Sequence, residues 1–237
     1  MTTFVLVHGA WHGAWCWEKL TPLLEARGHR VLAPDLPGHG ADRTPLAEVT
    51  LDAYAERVRA TIAAQPEAVV LVGHSMGGVV ITAAAERIPE RIRTLVYLTA
   101  FLIGDGETLL GASGRDPESA LVGNLVPDAD GRSVTVKPDA IVPAFYATCS
   151  AEDAKRAIAR LVPQPSAVFT TPVHWTPERA GRIPRVYIEC LRDRAITLAA
   201  QRRMVEARPC AKLLTLDSDH SPFFSAPEAL AAHLAGL

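Results

Sequence analysis

The 237-residue sequence has no apolar run approaching the roughly 20 residues of a membrane span. Its first residues, Met1-Thr2-Thr3-Phe4-Val5, lack the basic segment and apolar core of a signal peptide, so the expected location is cytoplasmic. Charge of one sign is not in excess: 24 Lys and Arg stand against 26 Asp and Glu, a net −2. That balance excludes nucleic acid or an anionic membrane as main partner, because both reward a basic face. Cysteine is scarce. Cys16, Cys149, Cys190 and Cys210 show neither C-x-x-C nor metal-like spacing, which leaves reduced thiols and no disulfide framework. No repeat, low-complexity segment, metal site or organic cofactor is indicated.

What is present is an apolar share of 49% with 21% charged residues, the composition of an ordinary globular protein. A chain of this length buries roughly three quarters of its unfolded surface and needs no cross-link to hold a core. Short apolar runs rich in β-branched residues recur at Thr3–Val7, Arg30–Ala33, Ala68–Val72, Thr94–Leu98, Arg185–Cys190 and Ala211–Leu216. Most are apolar throughout rather than alternating, as in strands covered on both faces. Helical patterns alternate with them at Trp15–Arg27, Leu51–Gln65, Met76–Ile88 and Leu198–Ala207. A last helix is expected from Ala226, where Ser225 and Glu228 have capping-box spacing. The alternation predicts an α/β fold with about six mostly parallel strands between helix layers. Residues 104–182 break the rhythm, with many prolines and one capped helix starting at Ser150 and running through Ile158 and Leu161. They are expected to form a lid inserted in a core made of 1–103 and 183–237.

Gly73-His74-Ser75-Met76-Gly77 follows an apolar run and precedes a helical one. This is the strand–turn–helix context of G-x-S-x-G, which strains the serine and exposes its hydroxyl. Glycines flank it because side chains there collide with neighbouring elements. The helix beginning at Met76 points its positive end at the serine. After the first strand, His8-Gly9-Ala10-Trp11-His12-Gly13 lies where a second oxyanion donor is needed, which singles out the N–H groups of Ala10 and Met76.

Of eight histidines, His220 alone follows the last strand, in Asp217-Ser218-Asp219-His220-Ser221-Pro222, at the carboxyl edge where ligands bind in open α/β sheets. His8 and His74 are read as turn supports, while His12 and His174 are candidates for a pocket wall. The acid that orients His220 should follow a strand and precede it, and Asp193 does so directly after Arg185–Cys190. Asp105 is the alternative acid, and a surface ion pair of Asp193 with Arg192 or Arg194 is the bland alternative. Asp219, adjacent to His220, is expected to shape its loop.

These residues resemble the plant methylesterases and hydroxynitrile lyases, with their bacterial esterase relatives, inside the α/β-hydrolase superfamily. The likeness covers nearly the whole chain. It is closest in His8–Trp15, Gly73–Gly78, Asp193-Arg194-Ala195-Ile196 and Asp219–Phe224. The resemblance implies an α/β-hydrolase fold with a lid, Asp193 rather than Asp105 as the acid, and Ala10 as an oxyanion donor. Lyases of this group carry threonine after the first motif histidine and lysine after the catalytic one, and the lysine's charge stabilises departing cyanide. Here those positions are Gly9 and Ser221, so the expected activity is serine esterase action on a small or medium apolar ester. A slow-turnover binding protein, a lyase or a C–C bond hydrolase would use the same triad. His12, Trp11, Phe101, Tyr146 and Trp175 are the candidate pocket residues. Oligomeric state, a homodimer included, is not readable.

Overall fold

The computed structural model describes residues 1–237. In chain order the core opens with β1 (Thr3–Val7), α1 (Leu20–Glu25), β2 (Arg30–Leu32), α2 (Leu51–Ala63), β3 (Val69–His74), α3 (Gly77–Arg87) and β4 (Ile92–Leu98). It closes with β8 (Arg185–Cys190), α8 (Leu198–Ala207), β9 (Lys212–Leu216), α9 (Pro222–Ser225) and α10 (Pro227–Ala235). Between β4 and β8 lie α4 (Leu109–Ser113), β5 (Leu125–Pro127), β6 (Ser133–Val136), α5 (Pro138–Phe145), α6 (Ala151–Ile158), β7 (Gln164–Pro165) and α7 (Ser166–Thr170).

The core sheet has six strands in the order β2-β1-β3-β4-β8-β9, every pair parallel. Its arrangement is the α/β-hydrolase fold. All six residues of β3 are buried, which is why the strand reads as unbroken apolar sequence. Helices α2 and α3 pack on one another, as do α1 and α10, and these pairs flank the sheet. Helix α3 (GGVVITAAAER) buries eight of its residues, because it is apolar nearly all round and sits directly on the central strands. The strand order changes direction between β1 and β3, so the ends of β1, β3, β4, β8 and β9 open on one shared edge.

Two helix expectations are corrected. Trp15–Arg27 is a short 3₁₀ turn at Ala14–Trp17 followed by α1. Pro22 has no N–H and fits only the first turn of a helix, so α1 cannot begin as early as Trp15. Ser225 does not cap the last helix: Ala226 stands at that position without a side-chain bond, and Pro227 begins α10. The Ser225 hydroxyl instead bonds Asp219 Oδ1 (2.9 Å) and Ser218 Oγ (2.7 Å) in the loop that carries His220.

The segment between β4 and β8 has a sheet of its own, β5-β6-β7, antiparallel. Its strands are two to four residues long, too short to leave a period in the sequence. Pro127 and Pro165 lie on its outer strands, where a missing N–H is tolerated. Helix α6 starts as expected: Ser150 Oγ accepts from Asp153 N (3.1 Å) and donates to Asp153 Oδ2 (2.6 Å). It ends at Ile158, short of Leu161.

Candidate active site

Ser75 stands at the turn from β3 to α3 with φ +55, the left-handed region that costs a non-glycine residue about 1–3 kcal/mol. The turn is as crowded as its glycines suggest. A Cβ at Gly73 would lie 2.5 Å from Gly77 O, and one at Gly77 would lie 2.7 Å from Val7 O of β1. The strain aims the serine out of the sheet edge into a narrow cleft of about 30 Å³.

His220 and Asp193 meet across β8 and β9. His220 Nδ1 lies 2.7 Å from Asp193 Oδ2, with the pair fully buried. Asp193 Oδ1 accepts from the N–H groups of Ala195 (2.7 Å) and Ile196 (2.9 Å), and Oδ2 also accepts from Thr99 Oγ1. Both oxygens are therefore engaged, which fixes the carboxylate, and a carboxylate can only accept, so His220 Nδ1 carries a proton. Asp105 is elsewhere: exposed, it bonds His174 Nδ1 (3.2 Å) and Trp175 N (3.0 Å). Arg192 pairs with Asp217, not Asp193. Asp219 holds its own loop and the inserted segment, accepting from Ser221 N (3.0 Å) and Thr148 N (2.7 Å). Ser75 Oγ and His220 Nε2 make no hydrogen bond to one another here, an arrangement common before substrate binds. His74 ties their loops together, its Nε2–H donating to His220 O (2.7 Å).

Ala10 and Met76 share the cleft with Ser75. Both are buried, and neither N–H donates to any acceptor in the protein. Buried unpaired amides are rare and call for a reason; here both residues line the cleft beside a strained serine. The Ala10 amide is held from behind. His8 Nδ1 bonds Gly9 O (2.8 Å), the carbonyl of the same peptide unit, and His8 Nε2 accepts from Leu36 N (3.2 Å). Burial drives the His8 pKa well below its ordinary value, so the ring stays neutral as that two-sided bonding requires.

Trp11 and Phe101 line the cleft as expected. Three other candidates do not. His12 and Tyr146 form a buried layer behind the loop: Tyr146 O–H donates to His12 Nε2 (2.7 Å) and His12 Nδ1–H to Ala10 O (2.8 Å). Buried polar groups must pair, and these pair with each other and the backbone, leaving nothing facing a ligand. Trp175 packs on the far side of α3, its Nε1–H donating to Ile103 O (3.3 Å) beside Thr82 and Tyr97. The cleft is completed by residues the sequence did not single out, among them Leu109, Leu125, Phe169 and Ile196. The first three come from the segment between β4 and β8, whose short elements leave no periodic signal to place them. Ile196 lies within Asp193-Arg194-Ala195-Ile196, and its spacing from Asp193 is the one signal that could have found it. Eleven of the thirteen wall residues are hydrophobic and none is charged, so the site suits an apolar group held against Ser75.

The family described as "Alpha/beta hydrolase family" matches residues 4–233. Methylesterase 1 of Arabidopsis thaliana is 36% identical over 244 residues, covering 96% of this chain and 92% of the relative. An alpha-hydroxynitrile lyase of Arabidopsis thaliana is 34% identical, covering 99% and 96%. The crystal structure of a pyrethroid hydrolase superposes with a TM-score of 0.86 at 30% identity, covering 99% of this chain and 96% of that one.

Proposed function

The chain belongs to the α/β-hydrolase family and is a carboxylic ester hydrolase, and from that premise we propose that it cleaves small or medium apolar esters through an acyl-enzyme on Ser75. Ser75 Oγ attacks the ester carbonyl as His220 takes its proton, and Asp193 keeps the imidazole in the tautomer that leaves Nε2 free to accept. The N–H groups of Ala10 and Met76 receive the oxyanion, and the N-terminal end of α3 adds its dipole. His220 then protonates the leaving alcohol, and water hydrolyses the acyl-enzyme by the same route. The observation that carries the reading is the pair of buried residues with unpaired amides, Ala10 and Met76, that line the cleft with Ser75.

Esterase action is favoured over cyanohydrin cleavage. Ser221 stands where the lyase reading needs a lysine and is fully buried, and no cation lines the cleft. A Cβ at Gly9 would lie 2.9 Å from both Ser75 Cβ and His74 Nδ1, so the turn has no room for the lyase threonine without movement. Peptide mass mapping after treatment with a fluorophosphonate tests the nucleophile. The adduct is expected on Ser75; labelling of another residue, or none, contradicts the mechanism. Mandelonitrile assayed beside the esters should show no cleavage.

A further inference from the structure

Beside the catalytic cleft is a second cavity of about 240 Å³. The two share Phe101, Ser113, Ala195 and Ile196, a mostly apolar partition. Beyond it the second cavity turns charged, with Arg115, Arg203, Arg208, Glu107 and Asp116 in its wall. The acidic groups are already engaged. Glu107 holds Arg115 (2.7 Å) and Arg208 (2.6 Å), and accepts from Gly104 N (2.5 Å). Asp116 accepts from Thr197 N (2.9 Å) and Oγ1 (2.7 Å), fixing the start of α8. Arg203 forms no ion pair: its one side-chain hydrogen bond runs from Nη2 to Arg115 O (2.8 Å). A guanidinium has five N–H donors in a planar fork, so most of this one's remain for a ligand. Three cations against two carboxylates leave the cavity with one positive charge in excess.

We propose, resting on the hydrolase reading, that this cavity receives the far carboxylate of a substrate whose ester carbonyl lies at Ser75, making half-esters of dicarboxylic acids the preferred substrates. The methylene chain runs along the four shared residues, and the free carboxylate meets the Arg203 fork, the bidentate geometry a guanidinium recognises best. The covalent steps are unchanged. The Ser75 Oγ–acyl bond forms as the ester C–O bond breaks and the alcohol takes the proton; water then releases the dicarboxylate and restores Ser75.

The test compares monomethyl with dimethyl esters of dicarboxylic acids from succinate to suberate, in wild type, Arg203→Gln and Arg203→Lys. Wild type should prefer the half-ester at one chain length. Arg203→Gln should lower kcat/KM for that half-ester about tenfold while sparing the dimethyl ester, with partial recovery in Arg203→Lys. Because the cavity opens to solvent, the preference should shrink in about 0.5 M NaCl. A wild type that favours the dimethyl ester at every length, or an Arg203→Gln that lowers both esters alike, overturns the proposal. Calorimetric binding of the half-esters to Ser75→Ala separates it from the hydrolase reading. Weaker binding when Arg203→Gln is added supports the cavity assignment even if no ester is turned over, and equal binding overturns it.

Discussion

Asp193 accepts four hydrogen bonds, from His220, Thr99, Ala195 and Ile196, and that saturation dictates what its amide would do. In Asp193→Asn the carbonyl oxygen stays with the two backbone N–H groups, so the new NH₂ faces His220 Nδ1, where only an acceptor fits. The imidazole then takes the opposite tautomer, and kcat should fall by about 10⁴ at unchanged fold. Asp105→Asn should stay near the wild-type rate, since Asp105 bonds only His174 and Trp175 N at the surface; steady-state kinetics of both variants decides the acid. Ser75 and His220 could be singled out from sequence because each sits in a motif whose spacing is itself a physical requirement, and the structure places both at the carboxyl ends of their strands. Thr99 could not be: a threonine after a strand carries no mark of the carboxylate it will meet 94 positions later. His12 and Tyr146 were placed one layer too far forward. A sequence shows that an aromatic or imidazole is near a site, but not whether it faces the ligand or the backbone behind it.

At the scale of elements, the turn between β3 and α3 leaves no space for one added methyl group. Gly77→Ala drives its Cβ to within 2.7 Å of the Val7 carbonyl, and a backbone neighbour in a central strand cannot rotate away. The variant should lose about 1–3 kcal/mol of stability, read as a lower urea midpoint at unchanged m-value; a wild-type midpoint would show the turn to be looser than described. The segment between β4 and β8 is bound to the loops that carry Ala10 and His220: Trp11 Nε1–H donates to Val134 O (2.8 Å) and Val162 N to Trp11 O (3.0 Å), while Thr148 N reaches Asp219. Elements with strong apolar signals were readable to the residue, as β8 and α8 show. The misses have local causes. Pro22 split one expected helix, Ser225 was drawn to Asp219 rather than to α10, and strands of two to four residues leave no period.

Across the whole molecule, a buried set of neutral histidines underlies the site. Burial lowers the pKa of His12 and His39 to about 4 and holds His8 and His74 well below their ordinary value. Unfolded histidines take up protons below about pH 6.5 while His12 and His39 resist until about pH 4, so the unfolded state binds more protons across that window. Stability should therefore fall on acidification, by up to about 1.4 kcal/mol per pH unit for each histidine. Urea midpoints that decline from pH 7 to pH 5 are expected; a flat profile would mean these rings are protonated in the fold. No helix is long and apolar enough to cross a membrane. Nucleophilic action of Ser75 is checked by hydrolysis of short-chain p-nitrophenyl esters by wild type and Ser75→Ala. Steady turnover that disappears in the variant is the expected result. An inactive wild type, or a variant that is equally active, would contradict it.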